Sequence, residues 1–137
     1  MALKTSHRDI GRPLDASFLT FDVPSLLDQI KSEDDWLKEP RNAMTLHKSR
    51  DLRIVLIAMH AGTRIRPHTA DYPISLQVIA GSLRFNAGPK SATLRKGQLL
   101  TLHEGIPHDI EAPEESAFLL TLATGGNHPA GDWDRDD

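Results

Sequence analysis

The chain has 137 residues, of which 39% are hydrophobic and 26% are charged, a balance typical of one soluble globular domain. The formal net charge of -3 gives no excess of basic residues, so we expect no nucleic-acid partner. The absence of cysteine excludes disulfides, thiolate metal sites and thiol nucleophiles. The longest apolar run, Ile54 to Met59, is too short to cross a bilayer, and no signal peptide is evident. We therefore expect a cytoplasmic protein without membrane contact.

Residues 1–42 are predicted to form an N-terminal extension that carries a short helix and packs on the rest of the chain. The stretch "ASFLTFDV" at 16–23 could be a short strand. Pro24 suits the first turn of a helix, and the apolar residues of "PSLLDQIK" fall on one helical face. Ser32 and Asp35 have the spacing of a capping box, which predicts another helical turn after the first.

Residues 43–123 show a different pattern, in which short strands are joined by tight turns. Gly and Pro residues interrupt the apolar segments at regular spacing, and seven or eight short strands of this kind predict an all-β sandwich or barrel. Segments such as "IVLIAM" and "FLLTLA" lack polar alternation. We therefore expect a second layer, for example a dimer partner, to cover these strands. Residues 124–137 are predicted to form a flexible acidic tail.

Three of the seven histidines, His68, His103 and His108, fall at predicted strand ends that a barrel would place at one rim. In "HEGIPH" a Gly and a Pro form a tight turn between His103 and His108, so both rings could approach the same space. A single strand-end histidine is more often a surface or hydrogen-bonded residue than a ligand. A functional interpretation therefore needs further residues that converge on the same place.

Two segments supply that convergence, because "GTRIRPHTADYPISLQVIAG" resembles the first cupin motif and "GQLLTLHEGIPHDIEA" resembles the second. The resemblance covers roughly residues 45–122. It implies a double-stranded β-helix (cupin or jelly-roll) barrel behind the short N-terminal helical segment. Members of the family are usually dimeric, so a homodimer is expected. The matching residues are Gly62, Gly81, Gly97, Gly105, His68 and His108.

The chain departs from the motifs at four positions, and two of these, Ala70 and Ile74, correspond to two of the four usual metal ligands of the family. Ala70 stands where the second motif histidine is expected, Ile74 replaces the glutamate, His103 replaces a proline and Ala112 replaces the closing asparagine. Losing half the ligands of a site worth about 10–16 kcal/mol would forfeit about 5 kcal/mol. A nanomolar site would then become about micromolar or weaker. The resemblance with these departures implies either no metal cofactor or a divalent ion (Zn, Fe, Mn or Ni) that is held weakly.

Other residues could compensate for the lost ligands. His103 could rotate in as a third nitrogen ligand beside His68 and His108, which gives a three-histidine site with an open position. The sequence alone does not decide which residues of the strand after His68 face inward. If Tyr72-Pro73 keeps the register, His68, Ala70 and Ile74 share one face, whereas a shift by one residue would turn Gln77 inward. The candidate ligand-binding residues are His68, His108, His103, Ala70, Ile74 and Gln77.

Two hypotheses from different classes follow, and they leave open whether the chain is an enzyme. In the first, the barrel binds a small organic ligand without a full metal site, and His68 and His108 orient the ligand above an apolar floor. In the second, a metal-dependent cupin enzyme of the oxygenase or isomerase type uses His68, His103 and His108. The ligand losses favour the first hypothesis.

Overall fold

The protein, seen here in a computed structural model, is described over residues 12–125 and consists there of two short helices followed by nine strands. The helices and strands are α1 (Val23–Lys31), α2 (Asp34–Lys38), β1 (Arg41–Lys48), β2 (Arg53–Met59), β3 (Arg64–His68), β4 (Ile74–Ala80), β5 (Ser82–Ala87), β6 (Lys90–Arg95), β7 (Leu99–Leu102), β8 (His108–Glu111) and β9 (Ser116–Leu122). Within residues 12–125, neither helix has the length or apolar character needed to cross a membrane.

The nine strands form two antiparallel sheets. One sheet has five strands in the order β1-β2-β9-β4-β7, and the other has four strands in the order β3-β8-β5-β6. Neighbours in each sheet are often distant in sequence: β2 pairs with β9, and β3 pairs with β8. The predicted all-β double-sheet barrel is therefore confirmed, with nine strands instead of the expected seven or eight.

Apolar side chains from both sheets meet between them in a cluster that we call the inner core. Alternation along β4 shows how it forms, because Ile74, Leu76 and Val78 are buried while the intervening residues are only partly buried. The period of two along a strand places every second side chain on the same face. The inner core consists of Ala43, Val55, Ile57, Met59, Ile65, Ala70, Ile74, Leu76, Val78, Leu83, Phe85, Leu94, Ile110, Ala112, Phe118, Leu120 and Leu122.

The outer face of the five-stranded sheet is covered by the chain's own helices, through a second cluster that we call the outer core. Its buried members are Leu27, Ile30, Trp36, Met44, Leu46, Leu56, Ala58 and Ala117. These helices explain why "IVLIAM" and "FLLTLA" lack polar alternation, because alternate residues enter the inner and outer cores. The second covering layer expected from the sequence is present, and the N-terminal segment supplies it. The homodimer stays a prediction.

Two local predictions for the N-terminal segment are wrong. Residues 16–22 form no strand, and α1 begins at Val23, where the side chain of Asp22 accepts a hydrogen bond from the Ser25 amide at 3.4 Å. Ser32 does not begin α2. It ends α1, since its amide bonds back to the last turn and its Oγ donates to the Gln29 carbonyl at 2.8 Å. The predicted acidic tail lies, from residue 126 onward, outside the described residues.

Candidate functional site

His68 and His108 lie directly opposite each other on the paired strands β3 and β8. The pairing runs from Ile65 opposite Ile110 to His68 opposite His108, so β3 carries one extra residue at Arg66–Pro67. Such a bulge shifts the side-chain alternation by one. Because Ile65 points into the inner core, an unbroken strand would turn residue 68 outward, and the bulge returns it to the inside. The two ring centroids are therefore only 4.4 Å apart, at an interplanar angle of 59°.

Each of the two rings is held by a backbone carbonyl two residues earlier. The Nδ1 atom of His68 lies 2.9 Å from the Arg66 oxygen, and the Nδ1 atom of His108 lies 3.0 Å from the Ile106 oxygen. A carbonyl oxygen only accepts hydrogen bonds, so each Nδ1 must donate. In a neutral imidazole the other nitrogen, Nε2, then carries an unprotonated lone pair. The local chain fixes the same tautomer twice.

The second nitrogen of each ring has no hydrogen-bond partner within the described part of the chain, although both Nε2 atoms are buried. His108 as a whole is 2% exposed. A buried acceptor without a partner costs about 1–3 kcal/mol, and native proteins keep few of them. Two such atoms on adjacent rings therefore make this place the candidate functional site. We call these two histidines the imidazole pair.

The surroundings of the imidazole pair are apolar. Phe85 stacks on the His108 ring with centroids 5.3 Å apart and planes only 11° from parallel. Burial lowers the pKa of His108 below its ordinary value of 6.5, although the bond to Ile106 opposes the shift, and any positive charge on the adjacent His68 would lower the pKa further. His108 is therefore neutral near physiological pH, in agreement with an Nε2 atom that accepts.

Ala70 and Ile74 lie in the inner core, each 5% exposed, as they would if Tyr72-Pro73 keeps the register. Gln77 does not join them. It lies on the opposite face of β4, and its side-chain amide reaches the Gly97 carbonyl at 3.4 Å. An inward Gln77 would have required a shift of one residue at Tyr72-Pro73, and the structure has no such shift. The backbone of β4 therefore lies between Gln77 and the imidazole pair.

His103 is also apart from the imidazole pair. Its side chain is 70% exposed and lies 4.0 Å from Glu104, on the turn after β7. The same turn is tied to the barrel by the Gly105 amide, which donates to the Ala70 carbonyl at 2.9 Å. Across residues 12–125, no three His, Asp or Glu residues are grouped so that they could hold a metal ion. The residues present do not fit the four-ligand metal site that the cupin motifs imply.

On the reverse side of the same strands, polar residues form a network that the sequence interpretation missed. Asp109 accepts hydrogen bonds from Arg64 and from Asn86, the latter at 2.7 Å, and these bonds hold the pKa of Asp109 below its usual range. Arg64 and Arg84 both lie 3.9 Å from Glu111, beside a surface cleft of about 320 Å³. The alternation in "HDIE" could have indicated it, since Asp109 and Glu111 face away from His108.

The sequence interpretation also missed how the two rings are oriented. Both histidines follow a proline, in "RPH" and "IPH", and the accepting carbonyl belongs each time to the residue before that proline. Proline fixes its own φ and keeps the preceding residue extended, so this local geometry can recur. These are the only two Pro-His dipeptides in the sequence, and they were a readable signal.

The fold and the imidazole pair define a small cupin-type barrel with a buried histidine site. The model of the AraC-like ligand-binding domain family matches residues 53–124, more than half of the chain. The chain belongs to this family. The comparison with curated proteins found no match.

Solved structures similar to the chain share its fold at low sequence identity. A conserved protein of unknown function from Streptococcus pyogenes is 19% identical, with a TM-score of 0.65 over 90% of this chain and 96% of that one. A cupin superfamily protein from Desulfitobacterium hafniense is 14% identical, with a TM-score of 0.59 over 61% and 76%. Salicylate 1,2-dioxygenase from Pseudoaminobacter salicylatoxidans, with gentisate, is 14% identical, with a TM-score of 0.67 over 74% and 32%.

Proposed function

We propose that the chain binds a small organic molecule inside the barrel, against the imidazole pair and without a full metal site. The observation that carries this proposal is the pair of buried Nε2 atoms of His68 and His108, which have no partner in residues 12–125. The family match to a ligand-binding domain supports it. An apolar enclosure with a few oriented polar groups is the usual composition of a small-molecule site.

Ala70 and Ile74 support this proposal over a metal site. Both are apolar and buried, at positions where the cupin motifs carry metal ligands. A divalent ion would meet two neutral imidazoles there and no carboxylate to balance its charge. An apolar molecule would instead gain about 25 cal/mol for each Å² of apolar surface it buries. The substitutions therefore favour an organic ligand.

The test is a thermal-shift screen of metal-stripped protein against a library that includes neutral, cationic and anionic small molecules. A ligand present at about 100 times its Kd adds about 2.7 kcal/mol to the unfolding free energy, which raises the Tm measurably. The double variant His68→Leu/His108→Leu should lose this response. His47→Gln is the matched control, since His47 bonds to Ser49 on the β1–β2 hairpin at 3.0 Å. If no compound stabilises wild type more than the double variant, the proposal fails.

A second candidate function is a metal-dependent cupin enzyme of the oxygenase or isomerase type. The favouring observation is that both Nδ1 atoms bond to carbonyls while both Nε2 atoms point away from them, which is the usual arrangement of metal-ligating histidines. His68 and His108 would hold the ion, and His103 would have to turn inward from its exposed position. The ion would supply Lewis-acid or redox chemistry. Metal near one ion per chain in freshly purified protein, lost in His68→Ala, would favour this candidate.

A further inference from the structure

We infer that the imidazole pair selects a neutral ligand group that donates a hydrogen bond to each Nε2 atom, and that it rejects carboxylates and other anions. This inference rests on the proposed binding of an organic ligand and names the chemistry of the group that is recognised. It follows from three features of the pair: the direction of its hydrogen bonds, their number, and the charge around it.

The direction is set by the backbone. The Arg66 and Ile106 carbonyls each take the Nδ1 hydrogen of one ring, so neither neutral ring has a hydrogen left to donate at Nε2. A carboxylate or phosphate oxygen placed there would face two lone pairs, which repel it. A ligand that bonds to this pair must bring the hydrogens itself.

The number of hydrogen bonds is set by how the rings are packed. Phe85 covers one face of His108, and the tilted His68 ring lies 4.4 Å away, so stacking on His108 is already used. Only the Nε2 edges remain, and there are two of them. Two acceptors need two hydrogens, which an aromatic amine, a primary carboxamide or two neighbouring hydroxyls can provide. One hydroxyl satisfies only one of them.

The charge is set by the residues on either side of β3 and β8. Every member of the inner core is apolar. Of the charged residues on these strands, Arg66 is exposed to solvent, and Arg64 and Asp109 bond to each other on the outward face. A buried anion would therefore have no cation beside it, and a buried ammonium would have no carboxylate. Burial of either charge is costly without such a partner, so the ligand group is neutral.

The first arm of the test measures the tautomers without any ligand. Long-range ¹⁵N–¹H correlation spectra of ¹⁵N-histidine protein, at about pH 7.5, should show both rings of the pair protonated at Nδ1 and unprotonated at Nε2. The single variants His68→Leu and His108→Leu assign the signals, and His47→Gln shows that an unrelated histidine leaves them unchanged. Detection of an Nε2–H tautomer or of an imidazolium in either ring overturns the inference.

The second arm uses four probes with the same ring and different head groups on metal-stripped protein: aniline, phenol, fluorobenzene and benzoate. Aniline offers two hydrogens, phenol one and fluorobenzene none, while benzoate is an anion. One hydrogen bond of about 1 kcal/mol corresponds to about a fivefold change in Kd. We expect the Nε2 signals of the pair to titrate with aniline about fivefold more tightly than with phenol. Phenol should in turn bind about fivefold more tightly than fluorobenzene, and benzoate should leave the Nε2 signals unshifted.

The outcomes separate this inference from the proposed function. Benzoate binding as tightly as aniline, or an unchanged ranking in His68→Leu/His108→Leu, overturns the donor selection and leaves organic-ligand binding intact. Failure of all four probes also overturns it, while the broader library decides the proposed function separately. Stoichiometric Zn²⁺ binding that displaces aniline overturns it in favour of the metal candidate.

Discussion

At the scale of single residues, His108 shows how a buried polar side chain can be fixed and still left incomplete. Ile106 takes its Nδ1 hydrogen, Phe85 packs on its face and His68 lies beside it, so the ring has little freedom to turn. Its Nε2 lone pair is oriented before any ligand arrives. Orientation in advance reduces the entropy lost on binding, at the expense of stability in the ligand-free protein.

The first prediction is that His108→Leu leaves the stability of the ligand-free protein unchanged or raises it by up to about 2 kcal/mol. The variant removes an unsatisfied buried acceptor worth about 1–3 kcal/mol, and it loses the single bond to Ile106 worth about 1 kcal/mol. Urea unfolding at neutral pH measures the difference. A loss of more than about 2 kcal/mol would show that His108 acts mainly as a structural residue.

The second prediction concerns pH. Since burial lowers the pKa of folded His108 below 6.5, the unfolded chain binds its proton more readily than the folded chain does. This contribution to stability is complete above about pH 6.5 and is lost as the pH falls from there toward the lowered folded value. The Tm of wild type should therefore fall more steeply between about pH 7 and pH 5 than the Tm of His108→Leu.

The titration of Asp109 lies outside the pH range of that measurement. Its hydrogen bonds from Arg64 and Asn86 lower its pKa below 3.8, so its contribution is present above that value and is lost only as the pH falls further. Parallel curves for wild type and His108→Leu between about pH 7 and pH 5 would contradict the prediction.

At the scale of elements, the bulge in β3 marks the limit of what could be predicted from the sequence. The hairpins, the sheet-forming segments and the positions of His68 and His108 follow from Gly and Pro spacing and from the cupin motifs. Successive side chains of a strand alternate between its two faces, and one extra residue at Arg66–Pro67 reverses this alternation for the residues that follow. The two placements left open for Gln77 came from the same uncertainty, at the next break along the chain.

The sequence predicted that the N-terminal helix packs on the barrel, but it did not assign the cover of the sheet to that helix alone. The absence of polar alternation in β2 and β9 indicated a second layer, but a helix of the same chain and a partner subunit bury an apolar face equally well. The exposed position of His103 is also beyond the sequence, because the side chains of a tight turn have no period that assigns them to one face.

The third prediction tests the turn between β4 and β5, where Gly81 has φ +74°. A Cβ there would collide with the Glu115 backbone oxygen and the Ser116 Oγ. That hydroxyl cannot simply move, since it accepts from the Ser82 amide at 3.0 Å and donates to the Ser82 carbonyl at 2.7 Å. Gly81→Ala should cost about 3 kcal/mol of unfolding free energy, from left-handed strain and overpacking together.

Gly88→Ala is the matched control for that experiment. Gly88 also has a positive φ, of 59°, but nothing lies within 4 Å of the place that an alanine methyl group would take. Only the backbone strain applies, so the expected loss is about 1 kcal/mol. Chemical denaturation of both variants separates the two contributions. Equal losses would mean that the contact with Ser116 is not what constrains the turn.

At the scale of the whole molecule, the five-stranded sheet separates two cores. Its inward side chains pack in the inner core against the four-stranded sheet, which carries the imidazole pair, and its outward side chains pack against the N-terminal helices. Trp36 is the largest side chain on the helical side of the outer core and is 6% exposed. It stacks on His60 at 3.5 Å, and its carbonyl accepts a hydrogen bond from the His60 Nε2 at 2.6 Å. The N-terminal segment is thereby fastened to the barrel.

The fourth prediction is that Trp36→Ala lowers the unfolding free energy by about 3–5 kcal/mol, the usual cost of removing a large buried aromatic side chain. The neighbouring Leu37→Ala should change it by less than about 0.5 kcal/mol, because Leu37 is 79% exposed. Under native conditions the Nε2 signals of His68 and His108 should stay where they are in wild type, since Trp36 belongs to the outer core, whereas Phe85, which stacks on His108, belongs to the inner core. Chemical denaturation measures the change in unfolding free energy, and the histidine spectra measure whether the Nε2 signals move. Shifted histidine signals in a still-folded Trp36→Ala protein would mean that the helical cover and the ligand site are coupled across the sheet.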